Sequence, residues 1–112
     1  MVNFIKDIRQ SLGVSNLPFV IATSGHGGIE ETPYGGKWMK DMQNKITPAQ
    51  LAATDPTKHA EFASNAISVN TWEYWRNDVN SPDRSVHHWN NNAESYCWIG
   101  HALANGLISL LK

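Results

Sequence analysis

Apolar residues recur along this chain with two different periods. Between positions 2 and 12, Val2, Ile5, Ile8 and Leu12 fall at helical spacing with Phe4 beside them, while Lys6, Asp7, Arg9 and Gln10 take the other side. That spacing predicts a helix over 2–12, stopped by Gly13. "LPFVIA" (17–22) is short, apolar and rich in strand formers, so it predicts a buried strand; a proline is tolerated at a strand's first positions. "TSGHGGIEETPYGG" (23–36) is glycine-rich loop. Helical spacing returns over 37–54, with Trp38, Met39, Met42, Ile46, Leu51 and Ala52 as its apolar members. Thr47-Pro48 inside it reads as an N-cap followed by a first-turn proline, which predicts a break or two short helices.

"AISVNT" (66–71) predicts a second strand. The stretch 72–91 is long and polar and carries Trp72, Trp75 and Trp89, and loops of that length are usually functional. A final helix is predicted over 92–111, with Tyr96, Ile99, Leu103, Leu107, Leu110 and Leu111 on or near one stripe. Asn91 or Asn92 is its N-cap, and Glu94 in its first turn suits the helix dipole. Strands separated by helical crossovers pair in parallel and need helices on both faces. The order helix, strand, helix, strand, helix therefore predicts a single α/β domain over 1–112. It reads as part of a three-layer α/β/α, flavodoxin-like arrangement around a short parallel sheet. Two strands make a poor sheet alone, so a homo-oligomer is expected, with sheets completed or helices packed between copies.

Composition narrows the partners. Of 112 residues, 41% are hydrophobic and 17% charged, as in a globular domain, and the net charge of −1 gives no pull toward nucleic acid or an anionic membrane. No apolar run approaches the ~20 residues of a membrane span. Lys6, Asp7 and Arg9 interrupt any signal-peptide core, and a cytoplasmic location is expected. The single cysteine, Cys97, rules out an internal disulfide and is expected to pack as a small hydrophobe, as is Trp98 beside it. No cofactor is expected. Nor is a metal: His87, His88, Asp83 and Glu94 are close in sequence, but adjacent histidines on extended backbone point apart and no zinc spacing is present.

Two stretches carry chemistry. In "SVHHWNNNAESYCWIG" (85–100), paired histidines, Trp89 and three asparagines precede the last helix. They are either loop-to-helix hydrogen-bonding groups or half of a catalytic centre. Histidine changes charge near neutral pH, which suits His88 to proton transfer. In "TSGHGG" (23–28), Ser24 and His26 follow a predicted parallel strand, where open α/β sheets bind ligands. Ser24 is a candidate nucleophile, although the residue two before it is Ala22 and the segment is no G-x-S-x-G elbow. Alternatively, the glycines serve to let the strand end approach the His88 loop. Trp72, Trp75 and Trp89 either line a sugar-sized cleft or plug an open side of the fold.

"LGVSNLPFVIATSGHGG", "HAEFASNAISVNTWEYWR" and "SPDRSVHHWNNNAESYCWIGHALANGLISLL" together resemble the C-terminal half of SGNH-type carbohydrate esterases, the sialic-acid-specific acetylesterase group. "HWNNNAESY" followed by "IG" is the most specific part. The resemblance implies a three-layer hydrolase that removes acetyl groups from sugars, with His88 as base and acid. Trp89, Asn90, Trp75 and His87 would then be the substrate-binding residues. The family's acid stands three residues before its histidine, where this chain has Ser85; Asp83 is the nearest acid and the candidate orienter. The family's "GQSN"-like nucleophile block does not occur in this sequence. Two readings follow: a serine-type esterase of short-chain or carbohydrate esters using His88, Asp83 and Ser24, or a non-catalytic α/β fragment that associates with itself.

Overall fold

The computed structural model describes residues 1–25, 36–82 and 87–112. Helix α1 (Val2–Leu12) follows the predicted span and ends at Gly13. Gly13 adopts the left-handed conformation (φ 66°) that glycine tolerates best, and its N–H donates to the Gln10 carbonyl at 3.2 Å. Strand β1 (Phe19–Ala22) pairs in parallel with β2 (Ala66–Val69), Phe19 opposite Ala66 and Ala22 opposite Val69. Helix α2 (Gly36–Ala52) connects them, followed by a 3-10 turn at Ala60–Phe62, and α3 (Ala93–Leu110) closes the chain. The result is a small, partial α/β fold, with helices on both faces of a two-strand parallel sheet.

Strand alternation divides the core. Phe19, Ile21 and Ala66 face α1 and the end of α2, where they join Ile5, Phe62, Ala53 and Val2 in one apolar cluster. Val20, Ile67 and Val69 face α3, which crosses them at Gly106. A Cβ at Gly106 would fall 2.9 Å from Val20 Cγ1 and 3.2 Å from Val69 Cγ1, so glycine sets how closely the helix lies on the sheet.

That close approach changes the predicted stripe of α3. The fully buried members are Ser95 and Gly106, while Tyr96, Leu107 and Leu111 are exposed and Ile99, Leu103 and Leu110 half-buried. The sheet supplies the bulky groups at this interface and the helix supplies small ones. Cys97 and Trp98 lie away from that face and are exposed rather than packed, Trp98 stacking on Tyr74 with ring centroids 6.3 Å apart.

Two further expectations are corrected. Arg9, assigned to the outer side of α1, is 7% exposed and packs between Phe19 and Phe62. Helix α2 is not broken at Pro48. Proline removes one backbone donor and strains the turn before it. Here, however, Gln43 and Gln50, on either side of Pro48, bond to the same residue, Ser24, and hold both halves in one helix. The buried face of α2 is polar as well: Gln43 and Thr47 are buried, Ile46 half-buried and Leu51 exposed.

Candidate functional site

The carboxyl ends of β1 and β2 are clasped beyond the last ladder position. The Thr23 N–H donates to the Val69 carbonyl at 3.1 Å, the Thr71 N–H to Thr23 Oγ1 at 3.0 Å and the Thr71 hydroxyl to the Thr23 carbonyl at 2.7 Å. Both threonines are buried, so the clasp satisfies groups that water cannot reach. It fixes where Ser24 and Gly25 leave the sheet.

Ser24 is held by α2. Its N–H donates to Gln50 Oε1 at 2.9 Å, its carbonyl accepts from Gln43 Nε2, and its hydroxyl has two long contacts of 3.4 Å to the oxygens of Gln43 and Gln50. Gln43 Nε2 also donates to Thr47 Oγ1 at 2.7 Å. Positions 43, 47 and 50 share one helical face. A search for apolar stripes passes over these glutamines, because the face they form is polar; the signal was the i, i+4, i+7 spacing itself.

The segment before α3 has an uncommon backbone. His88, Trp89, Asn90 and Asn91 have φ of 50°, 54°, 56° and 52°, a complete left-handed turn without glycine. Asparagine tolerates this region, whereas the His88–Trp89 pair carries a cost of about 2–4 kcal/mol at roughly 1–2 kcal/mol per residue. Several contacts hold the turn against that cost. Asn90 is buried and its Nδ2 donates to the Arg76 carbonyl at 3.2 Å, while the Tyr96 hydroxyl donates to the His88 carbonyl at 2.7 Å. The Trp89 ring lies over Gly25, so close that a Cβ there would stand 2.1 Å from its Cζ and Cη edge. Gly25 thus provides the approach of strand end to histidine loop that the glycine-rich segment allows.

Asn92 is the N-cap of α3. Its Oδ1 accepts from the Ser95 N–H at 3.0 Å and its Nδ2 donates to the Asn80 carbonyl at 2.6 Å. The Ser95 hydroxyl donates to the Tyr74 carbonyl at 2.6 Å, and Arg76 pairs with Glu94 at 2.8 Å. The stretch 72–82 is therefore tied to the helix start and itself forms 3-10 turns at Trp72–Tyr74 and Asp78–Asn80. The bond from Arg76, and then that from Trp98, holds the Glu94 carboxyl below its ordinary pKa. Asn92→Ala is expected to cost about 0.5–2 kcal/mol, the usual value of such a cap. A denaturation midpoint equal to that of the unsubstituted protein would show that Asn92 ties the loop without stabilising the helix.

The structure brings some of the predicted residues together. Trp89 meets Gly25, next to Ser24, on one side and Trp75 on the other, with indole centroids 6.4 Å apart. Trp75 is only 9% exposed and its Nε1 donates to Asn77 Oδ1 at 3.2 Å, which makes it a packed wall rather than an open platform. Trp72 Nε1 is sealed from solvent with no acceptor among the described residues. His87 and His88 are exposed. The His88 ring makes no hydrogen bond with a described residue, and the partners of the Ser24 hydroxyl are the two glutamines. Asp83 and His26 lie outside the described residues. Among the described residues no group of three or more His, Cys, Asp or Glu gathers as a metal would require, and no helix is long and apolar enough to cross a membrane. In comparisons with known proteins, no family model, curated protein or solved structure matches the chain.

Proposed function

We propose that the chain carries the histidine side of a hydrolytic site for short-chain esters, acetylated carbohydrates above all, with His88 as base and acid. The observation that carries this reading is the left-handed His88–Asn91 turn at the carboxyl ends of the sheet. Conformational cost of this kind persists where surrounding contacts over-determine it, and it concentrates at working sites. Here it sets an exposed imidazole beside Trp89, where α/β sheets bind their ligands. Ser24, gripped by Gln43 and Gln50, lies one residue from the Trp89 contact and is the nucleophile candidate. Its present partners do not remove a proton, so activity requires Ser24 to exchange a glutamine for His88, or another nucleophile to meet that ring.

The test is acetate release from an O-acetylated sugar. An activated aryl ester alone does not suffice, since any exposed imidazole attacks it. Weak release is expected, and His88→Ala is expected to lower it by about 10²–10⁴-fold. Loss in Ser24→Ala as well identifies the serine route. Release unaffected by His88→Ala removes the proposal. The non-catalytic, self-associating reading is favoured by the exposed Leu107 and Ile108 on α3, Leu111 just after it, and Phe4 and Leu12 on α1. A dimer by light scattering with no acetate release from the unsubstituted chain would select it.

A further inference from the structure

The amino ends of β1 and β2, at the opposite pole of the sheet from His88, hold a guanidinium whose charge no described group balances. Arg9 is 7% exposed. Its Nε and Nη2 donate to the Leu17 carbonyl at 3.0 and 2.7 Å, and Nη2 also donates to the Asn65 carbonyl at 2.9 Å and to Asn65 Oδ1 at 2.8 Å. The rings of Phe19 and Phe62 stand 5.5 and 5.3 Å from its Cζ. Every one of these partners is neutral. A buried charge is unfavourable unless an opposite charge compensates it. The nearby carboxylate of Glu61 is committed to Lys6 Nζ at 2.9 Å, and no described carboxylate lies within ion-pair distance of Arg9. Burial alone moves this group, pushing its pKa below the ordinary arginine value.

One nitrogen of the fork remains. Nη1 makes no hydrogen bond with a described residue, yet it is not among the sealed polar atoms. Arg9 also lines an open groove of about 460 Å³, together with Lys6, Gln10, Asn16, Glu61 and Asn65, among others. That volume is in the range of small-molecule sites, and the lining carries the donors of Lys6, Arg9, Gln10 and Asn16 on largely apolar side-chain stems. We propose that this groove binds a small organic carboxylate, its oxyanion on Arg9 Nη1 and on a Lys6 Nζ donor that Glu61 leaves free, and its apolar body along the side-chain stems of Lys6 and Gln10. A single negative charge suits the site better than a phosphate, because Glu61 stands on the same rim and repels a second charge. This site shares no residue with the His88 turn and stands whether or not the chain hydrolyses esters.

The experiment is a titration of the isotopically labelled full chain with sodium phenylacetate, with inorganic phosphate and with sodium chloride at equal ionic strength, followed by NMR. Phenylacetate is expected to give saturable, millimolar shifts of the Arg9 Nε–H and of the Asn16 and Asn65 side-chain amides, phosphate weaker ones and chloride none. Arg9→Gln is expected to abolish them but also loosens the fold, so two exposed positions decide. Lys6→Gln is expected to weaken binding several-fold and Glu61→Gln to tighten it several-fold, both with unchanged circular dichroism. Shifts that do not saturate, that chloride reproduces, or that neither variant alters would overturn the proposal and leave Arg9 as a brace between Leu17 and Asn65. Phosphate binding more tightly than phenylacetate would overturn the carboxylate assignment.

Discussion

Phe62→Ala is expected to remove about 3–5 kcal/mol of stability, the usual cost of emptying a buried aromatic site. For a chain this small that is a large part of a total of about 5–15 kcal/mol. Phe62 is 1% exposed and sits where α1 and the sheet converge, in contact with the cluster of Ile5, Ile21, Ala53 and Ala66. Its ring also covers the Arg9 guanidinium at 5.3 Å, and its 3-10 turn leads directly into Asn65, which receives Arg9. Truncation therefore opens a cavity and wets a charge that is now half-shielded by an aromatic face. Phe62→Leu keeps most of the volume and is expected to stay folded with a lower midpoint. Urea unfolding followed by circular dichroism reads both. An alanine variant with the parental midpoint would mean that α1 and the sheet do not share this core.

The fold was legible where apolar period and local chemistry agreed. Val2, Ile5 and Ile8 with Gly13 define α1, and the β-branched runs around Val20 and Ile67 define the strands that pair in parallel. It was illegible where polar or small residues do the packing. Arg9 looks like a surface residue because its pattern position is marginal and its partners, the carbonyls of Leu17 and Asn65, lie 8 and 56 residues away. Gln43 and Gln50 disguise the inner face of α2, and they keep it continuous through a proline that reads as a break. Gly106 and Ser95 disguise the inner face of α3, since the bulk at that contact comes from Val20, Ile67 and Val69. Of the candidate site, the polar cluster before the last helix and an asparagine cap at Asn91 or Asn92 were readable from residue type, and the structure selects Asn92. The left-handed turn was not, because no glycine marks it and contacts distant in sequence, among them those of Trp89, Asn90 and Tyr96, impose it.

Gly25→Ala is expected to displace the Trp89 indole and dismantle the His88 turn while leaving the sheet intact. The added Cβ would stand 2.1, 2.2 and 2.5 Å from three carbons of that ring, far inside contact distance. The ring cannot simply slide, because Trp75 stands on its other side and its own backbone is already in the left-handed region. Overpacking of this kind costs about 1–3 kcal/mol, and the release of a turn that itself stores strain offsets part of it. The largest effect therefore falls on local geometry rather than on stability: near-ultraviolet circular dichroism and tryptophan fluorescence are expected to change more than the unfolding midpoint. Acetate release, where the unsubstituted chain shows it, is expected to fall as far as in His88→Ala, since the imidazole loses its position without losing its chemistry. A double-mutant cycle with Trp89→Ala isolates the cause. If Gly25→Ala costs as much stability without the indole as with it, the Gly25–Trp89 contact does not hold the turn, and the placement of His88 must rest on other contacts, those of Asn90 and Tyr96 among them.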